Sequence, residues 1–103
     1  MILVNVNSLD SNSIELTIKG HSGKAEYGRD LVCAAVSACS VGALNALENP
    51  KDFELKVEEG YISVRSIREI TKHDQIVLET LVTQLKSIEE TEPKYVKVVE
   101  KGN

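Results

Sequence analysis

Residues 31–47 read Leu-Val-Cys-Ala-Ala-Val-Ser-Ala-Cys-Ser-Val-Gly-Ala-Leu-Asn-Ala-Leu. The length of this small, apolar, alanine-rich stretch predicts a helix rather than a strand. Because it is apolar nearly all round, such a helix is expected to be buried on more than one side, under a sheet or against a second subunit. Asn49-Pro50 ends it.

Outward from this helix, in both directions, the period becomes that of strands. Upstream, Ile2-Leu3-Val4-Asn5-Val6 reads as a short strand, and Ser8 to Asn12 is a cluster of turn formers. Ile14, Leu16 and Ile18 then alternate with polar neighbours over residues 13–19, which completes a hairpin. Downstream, Phe53, Leu55 and Val57 alternate, Glu59-Gly60 turns, and Ile62, Val64 and Ser66 alternate back as a second hairpin. Thr71 opens a second helix, with an acidic residue, Asp74, three positions later. Val77, Leu78, Leu81, Leu85 and Ile88 form its apolar stripe, and Pro93 stops it. Tyr95, Val96, Val98 and Val99 suggest a last strand. The order is ββαββαβ, and its simplest solution is an α+β fold with two helices packed on one face of a largely antiparallel sheet.

The chain of 103 residues is expected to be one domain, 1–103, around a single core. With one Phe, three Tyr and no Trp, that core must be aliphatic. A net charge of −4 and a pI near 5.2 argue against direct nucleic-acid binding, whose footprint is a basic face. They leave room for a basic protein as partner or substrate. The chain opens with no charged-then-apolar leader and contains no run of 18 or more apolar residues, so a cytoplasmic protein without a membrane anchor is expected. Cys33 and Cys39 stand six apart on the predicted helix and face directions about 120° apart, which favours free thiols.

The chemistry is concentrated where the first hairpin meets the first helix. His21 ends a strand, the segment from Gly20 to Arg29 reads as a loop with three glycines, and Cys33 falls in the first helical turn if Asp30 is the cap. Unpaired backbone N–H groups and the positive end of the helix dipole favour a thiolate there. An imidazole alongside can take the thiol proton and pass it to a leaving amine, and the same N–H groups can stabilise an oxyanion. Each residue alone has a plainer reading: a cysteine near the start of an apolar helix is usually a small packed hydrophobe, and a histidine after a strand is usually a surface residue. For a metal, Cys33, Cys39, His21 and His73 are the soft candidates, and none is paired at zinc-like spacing. The glycine loop lacks the Walker pattern. No metal or cofactor is expected.

The run Gly20-His21-Ser22-Gly23-Lys24-Ala25, followed by Gly28-Arg29-Asp30-Leu31-Val32-Cys33-Ala34-Ala35-Val36-Ser37, closely resembles the signature of the ribosomal-processing cysteine protease family, Prp. Chain length and element order resemble the whole family domain. The resemblance implies an endopeptidase that removes the N-terminal extension of the precursor of large-subunit ribosomal protein twenty-seven, cutting after a hydrophobic segment, and it implies a homodimer. It makes His21 the general base and Cys33 the nucleophile, and it matches Gly20, Asp30 and Ser37 to further motif positions.

Physical roles can be assigned beside these matches. Asp30 either caps the helix or orients His21, and its position three before Cys33 favours the cap. Ser37 lies one turn after Cys33 on the same face, where its hydroxyl serves either the site or its own helix backbone. Gly23 and Gly28 are candidate hinges of a loop closing over a peptide, or simply turn residues. Cys39 is read as packing and His73 as an exposed polar residue. The alternative function is a non-catalytic module that binds a ribosomal protein or acts in ribosome assembly. A redox-sensing thiol protein is a third, for which Cys39 is badly placed as the resolving thiol.

Overall fold

The computed structural model describes residues 1–21 and 30–101. The expected hinges Gly23 and Gly28, with most of the predicted loop, lie outside these residues.

Strand β1 (Ile2–Leu9) pairs antiparallel with β2 (Ile14–Gly20) through a turn in which the Asp10 carboxylate accepts from the N–H groups of Asn12 and Ser13. β1 is longer than its apolar run because it resumes after a register shift between Val6 and Ser8, so the first of the turn formers belongs to the strand. Helix α1 (Leu31–Asn45) follows, then a short 3-10 turn (Pro50–Asp52), the hairpin β3 (Phe53–Glu58) and β4 (Tyr61–Ser66), helix α2 (Lys72–Thr91) and strand β5 (Val96–Glu100). The 3-10 turn is an element that strand and helix periodicities do not report.

The five strands lie in the order β3-β4-β2-β1-β5. All pairs are antiparallel except β1 with β5, which are parallel in the register Ile2↔Val96. The sheet is therefore mixed but mostly antiparallel, with two helices packed against it, as the pattern of elements predicts. Inward residues alternate along the strands: Ile2, Val4 and Val6; Ile14, Leu16 and Ile18; Ile62 and Val64. Leu78, Leu81, Val82 and Leu85 of α2 complete this aliphatic core. Burying side chains of this size contributes about 1.5–3 kcal/mol each.

The two helices use their sequences differently. α2 buries a helical stripe and exposes the opposite face. α1, although apolar almost throughout, buries only Val32, Val36 and Ser40, and it leaves Leu31 80% and Val41 43% exposed. Its Ser40 hydroxyl donates to the Val36 carbonyl one turn back, which explains how a polar residue sits in that buried stripe. Thr71 caps α2 by accepting from the Asp74 N–H at 3.2 Å. The Asp74 carboxylate is committed elsewhere, accepting from the Glu48 and Asn49 N–H groups at 2.8 and 3.0 Å.

Candidate active site

Strand β4 lies between β2 and β3 and is antiparallel to both, so β2 and β3 run in the same direction. Their C-terminal ends therefore meet at one edge of the sheet. α1 is the connection between them, and its first turn belongs to that edge too. This topology gathers the end of β2, the β3–β4 turn and the start of α1 around a cavity of about 650 Å³. Gly20, His21, Asp30, Cys33 and Ser37 all line it. The expected site residues thus share one cavity, apart from the two glycines outside the described residues.

Asp30 is the N-cap of α1. It has extended backbone (φ −85°, ψ 100°), and its carboxylate accepts from the Cys33 N–H at 3.0 Å, while its carbonyl accepts from the Ala34 N–H at 3.0 Å. The cap has a chemical cost to the site. The Cys33 N–H is engaged with Asp30, so the first-turn N–H groups of α1 that meet no acceptor among the described residues are those of Leu31 and Val32. Cys33 itself is half-buried, and Ser37, one turn along, is exposed.

His21 leaves the sheet at a tightly fixed point. Gly20 has φ +104°, and a Cβ on it would lie 2.3 Å from the Met1 carbonyl oxygen, so only glycine fits. Its N–H donates to the Gly60 carbonyl in the β3–β4 turn at 2.9 Å. The Met1 amino group donates to the His21 carbonyl at 2.5 Å. The His21 ring lies against Gly60, where a Cβ would come within 2.9 Å of Nε2.

The opposite wall of the cavity comes from the second hairpin, none of whose residues is among the predicted site residues. Val57, Tyr61 and Ile62 of the second hairpin face Val36 and Val41 of α1, and Glu58 and Glu59 stand at the hairpin tip. Their signal in the sequence is only that of a hairpin, and nothing in it says which loop the hairpin approaches. Cys39 does not line this cavity. It borders a smaller cleft of about 290 Å³ between α1 and α2, with Ala43 and Val77 among its neighbours.

His73 belongs to a separate cluster. It is exposed, and its Nδ1 lies 2.9 Å from Asp74 Oδ1 and 3.7 Å from Glu48 Oε2. The hydrogen bond to Asp74 raises the His73 pKa above its ordinary 6.5; desolvation opposes this, and the charges of Glu48 and Asp74 reinforce it. Burial pushes the Asp74 carboxyl up, but hydrogen bonds from His73 and the two backbone N–H groups outweigh it and hold the group below its ordinary 3.8. Ligand-type atoms of Glu48, His73 and Asp74 lie within 4.8 Å of one another. Both Asp74 oxygens are already taken by backbone donors, which is the signature of a structural carboxylate.

The profile of the family described as cysteine protease Prp matches residues 1–97. The chain belongs to the Prp cysteine protease family. It is a cysteine protease, a hydrolase. The ribosomal processing cysteine protease Prp of Staphylococcus aureus is 32% identical over 96 residues, covering 87% of this chain and 90% of that protein. Its Bacillus subtilis counterpart is 33% identical over 90 residues, covering 80% of each. The fold agrees as well. A crystal structure of Staphylococcus aureus Prp in complex with a covalently linked product peptide superposes with a TM-score of 0.86, at 27% identity, over 98% of this chain and 100% of that one. A second structure of that Prp holds a substrate peptide and superposes with a TM-score of 0.80 at 26% identity, with the same coverage. Among the described residues, no helix is long and apolar enough to cross a membrane.

Proposed function

We propose that this chain is a site-specific endopeptidase that removes the N-terminal extension from the precursor of large-subunit ribosomal protein twenty-seven, with Cys33 as nucleophile and His21 as general base. The observation that carries this reading is that Cys33, and not Cys39, lines the same cavity as His21. The ribosomal processing role of the relatives and the peptides bound in the Staphylococcus aureus structures support the substrate class.

In the proposed reaction the imidazole takes the Cys33 proton and the thiolate attacks the scissile carbonyl. The oxyanion forms beside the first turn of α1, where the Leu31 and Val32 N–H groups and the helix dipole oppose its charge. The C–N bond then breaks, the imidazolium gives its proton to the leaving amine, and a thioester remains. Water, deprotonated by the same imidazole, hydrolyses the thioester and returns the thiol. The apolar walls formed by Ile18, Val36, Val57 and Ile62 suit a hydrophobic segment before the cut. Asp30 supports the site by holding the helix entrance.

The proposal includes a cytoplasmic homodimer without direct nucleic-acid binding. Its support is the apolar surface of α1 that its own chain leaves uncovered, from Leu31 to Val41, together with the acidic net charge. The test of the catalytic reading uses a peptide carrying the leader and the first residues of the mature ribosomal protein. Cys33→Ala should lower its cleavage by about 10³-fold or more, while Cys39→Ala leaves it near normal. Cleavage at the normal rate by Cys33→Ala would overturn the assignment. Tight binding of the peptide by the unaltered chain without any cutting would instead favour a binding module.

A further inference from the structure

We infer that Gly60, at the tip of the second hairpin, is a positioning residue for His21. The inference rests on the reading of His21 as the general base.

Three observations meet at this glycine. The first is the turn. Glu58 and Tyr61 are paired across it, leaving Glu59 and Gly60 as a two-residue loop. Gly60 has φ +73°, while among the described residues no residue other than glycine has positive φ. These are the φ signs of a type II turn, not of the mirror-image turns that suit the twist of a two-residue hairpin. The hairpin thus takes a turn its own strands do not favour.

The second observation is what that turn reaches. The β2–β4 ladder runs through Lys19↔Tyr61, and the next bond beyond it is donated by Gly20 to the Gly60 carbonyl at 2.9 Å. The turn backbone therefore anchors the residue immediately before His21. The third is the space above Gly60. A Cβ built there would lie 2.9 Å from His21 Nε2, close enough that something must shift, and 3.3 Å from Cε1, tighter than most carbon contacts. The imidazole rests where a side chain at position 60 would be. Gly42 provides the contrast, since a Cβ there meets nothing within 4 Å.

The atoms that such a Cβ would strike are the far end of a side chain that can swing away. Adding the Cβ should therefore move the ring rather than unfold the hairpin. A ring displaced by about an ångström is enough to lower catalysis by about 10²-fold.

The experiment uses Gly60→Asn and Gly60→Ala, each made in the native chain and in His21→Ala. Asparagine tolerates positive φ better than alanine, so it adds the Cβ with less backbone strain. The measurements are kcat for the leader peptide and the pH profile of Cys33 alkylation by iodoacetamide, with thermal unfolding followed in parallel. Gly60→Asn should keep a cooperative unfolding transition, lower kcat by about 10²-fold, and give an alkylation profile like that of His21→Ala. In the His21→Ala chain it should have no further effect on alkylation. The inference fails if Gly60→Asn leaves kcat and the profile unchanged, or if it slows alkylation equally with and without His21. If His21→Ala itself changes neither cleavage nor alkylation, the base assignment fails instead, and the two failures are thereby distinguishable. Should Gly60→Asn unfold, recovery of a cooperative transition in the His21→Ala chain supports the contact with the ring, and unfolding there as well overturns the inference.

Discussion

Two helix entrances in this molecule each associate an aspartate with a histidine. At the start of α1, Asp30 caps the helix and shares a cavity with His21 and a half-buried thiol. At the start of α2, Asp74 is fully buried, binds His73 and receives two backbone N–H groups from the segment that follows α1. The residue types are the same, and the difference lies in where their hydrogen-bonding capacity goes. Asp74 spends its capacity within the chain, stitching the end of one helix to the start of another. The α1 entrance instead opens on the cavity that His21 and Cys33 line together. A pair of side chains becomes a site when its surroundings leave something for a substrate to complete.

Substitutions at the two entrances test this contrast. The largest effect on stability is expected for Asp74→Ala, which orphans the N–H groups of Glu48 and Asn49 and should cost about 3 kcal/mol in urea unfolding. Peptide cleavage per folded molecule should be unchanged, and a slowed Cys33 alkylation in this variant would erase the distinction between the two entrances. Asp30→Ala should cost less, about 1 kcal/mol for a lost cap, and should slow cleavage as well. Asp30→Ser keeps a capping oxygen and should restore the stability; if cleavage stays low in that variant, the carboxylate also orients His21.

The smallest effect is expected for His73→Gln. The raised folded pKa of His73 means that its protonated form stabilises the fold fully below pH 6.5, and this contribution fades as pH rises through the folded value. Asp74 contributes in the opposite sense: its lowered pKa gives stability present above pH 3.8 and lost as pH falls through its folded value. His73→Gln should therefore flatten the decline in stability on the alkaline side of 6.5, as read from midpoints of denaturant unfolding across pH. An unchanged slope would show that the His73–Asp74 bond is energetically silent.

Much of this was legible in the residues themselves. The alternation of Ile14, Leu16 and Ile18, the stripe from Val77 to Ile88 and the caps at Asp30 and Thr71 are local patterns, and local patterns give elements and their ends. The position of Asp30 three before Cys33 even indicated the bond between them. What could not be read was set by packing across the chain. Gly20 reads as the first residue of a loop, yet it ends β2 because Gly60, forty positions away, accepts its N–H. Asp74 looks like half of a capping box, but its carboxylate turns to Glu48 and Asn49, which no spacing rule connects to it. The uncovered face of α1 follows from which part of the helix the sheet and α2 reach, whereas its composition alone says only that more than one side is to be covered.

The parallel pairing of β1 with β5 carries a kinetic consequence. Ile2 and Val96 lie side by side in the sheet though they are nearly the whole chain apart. A fold closed by contacts of such long sequence separation is a slow one for its size. Until β5 docks, β1 is an open edge carrying Ile2, Val4 and Val6, and such an edge invites pairing with other chains. β5 is thus the strand that covers the β1 edge.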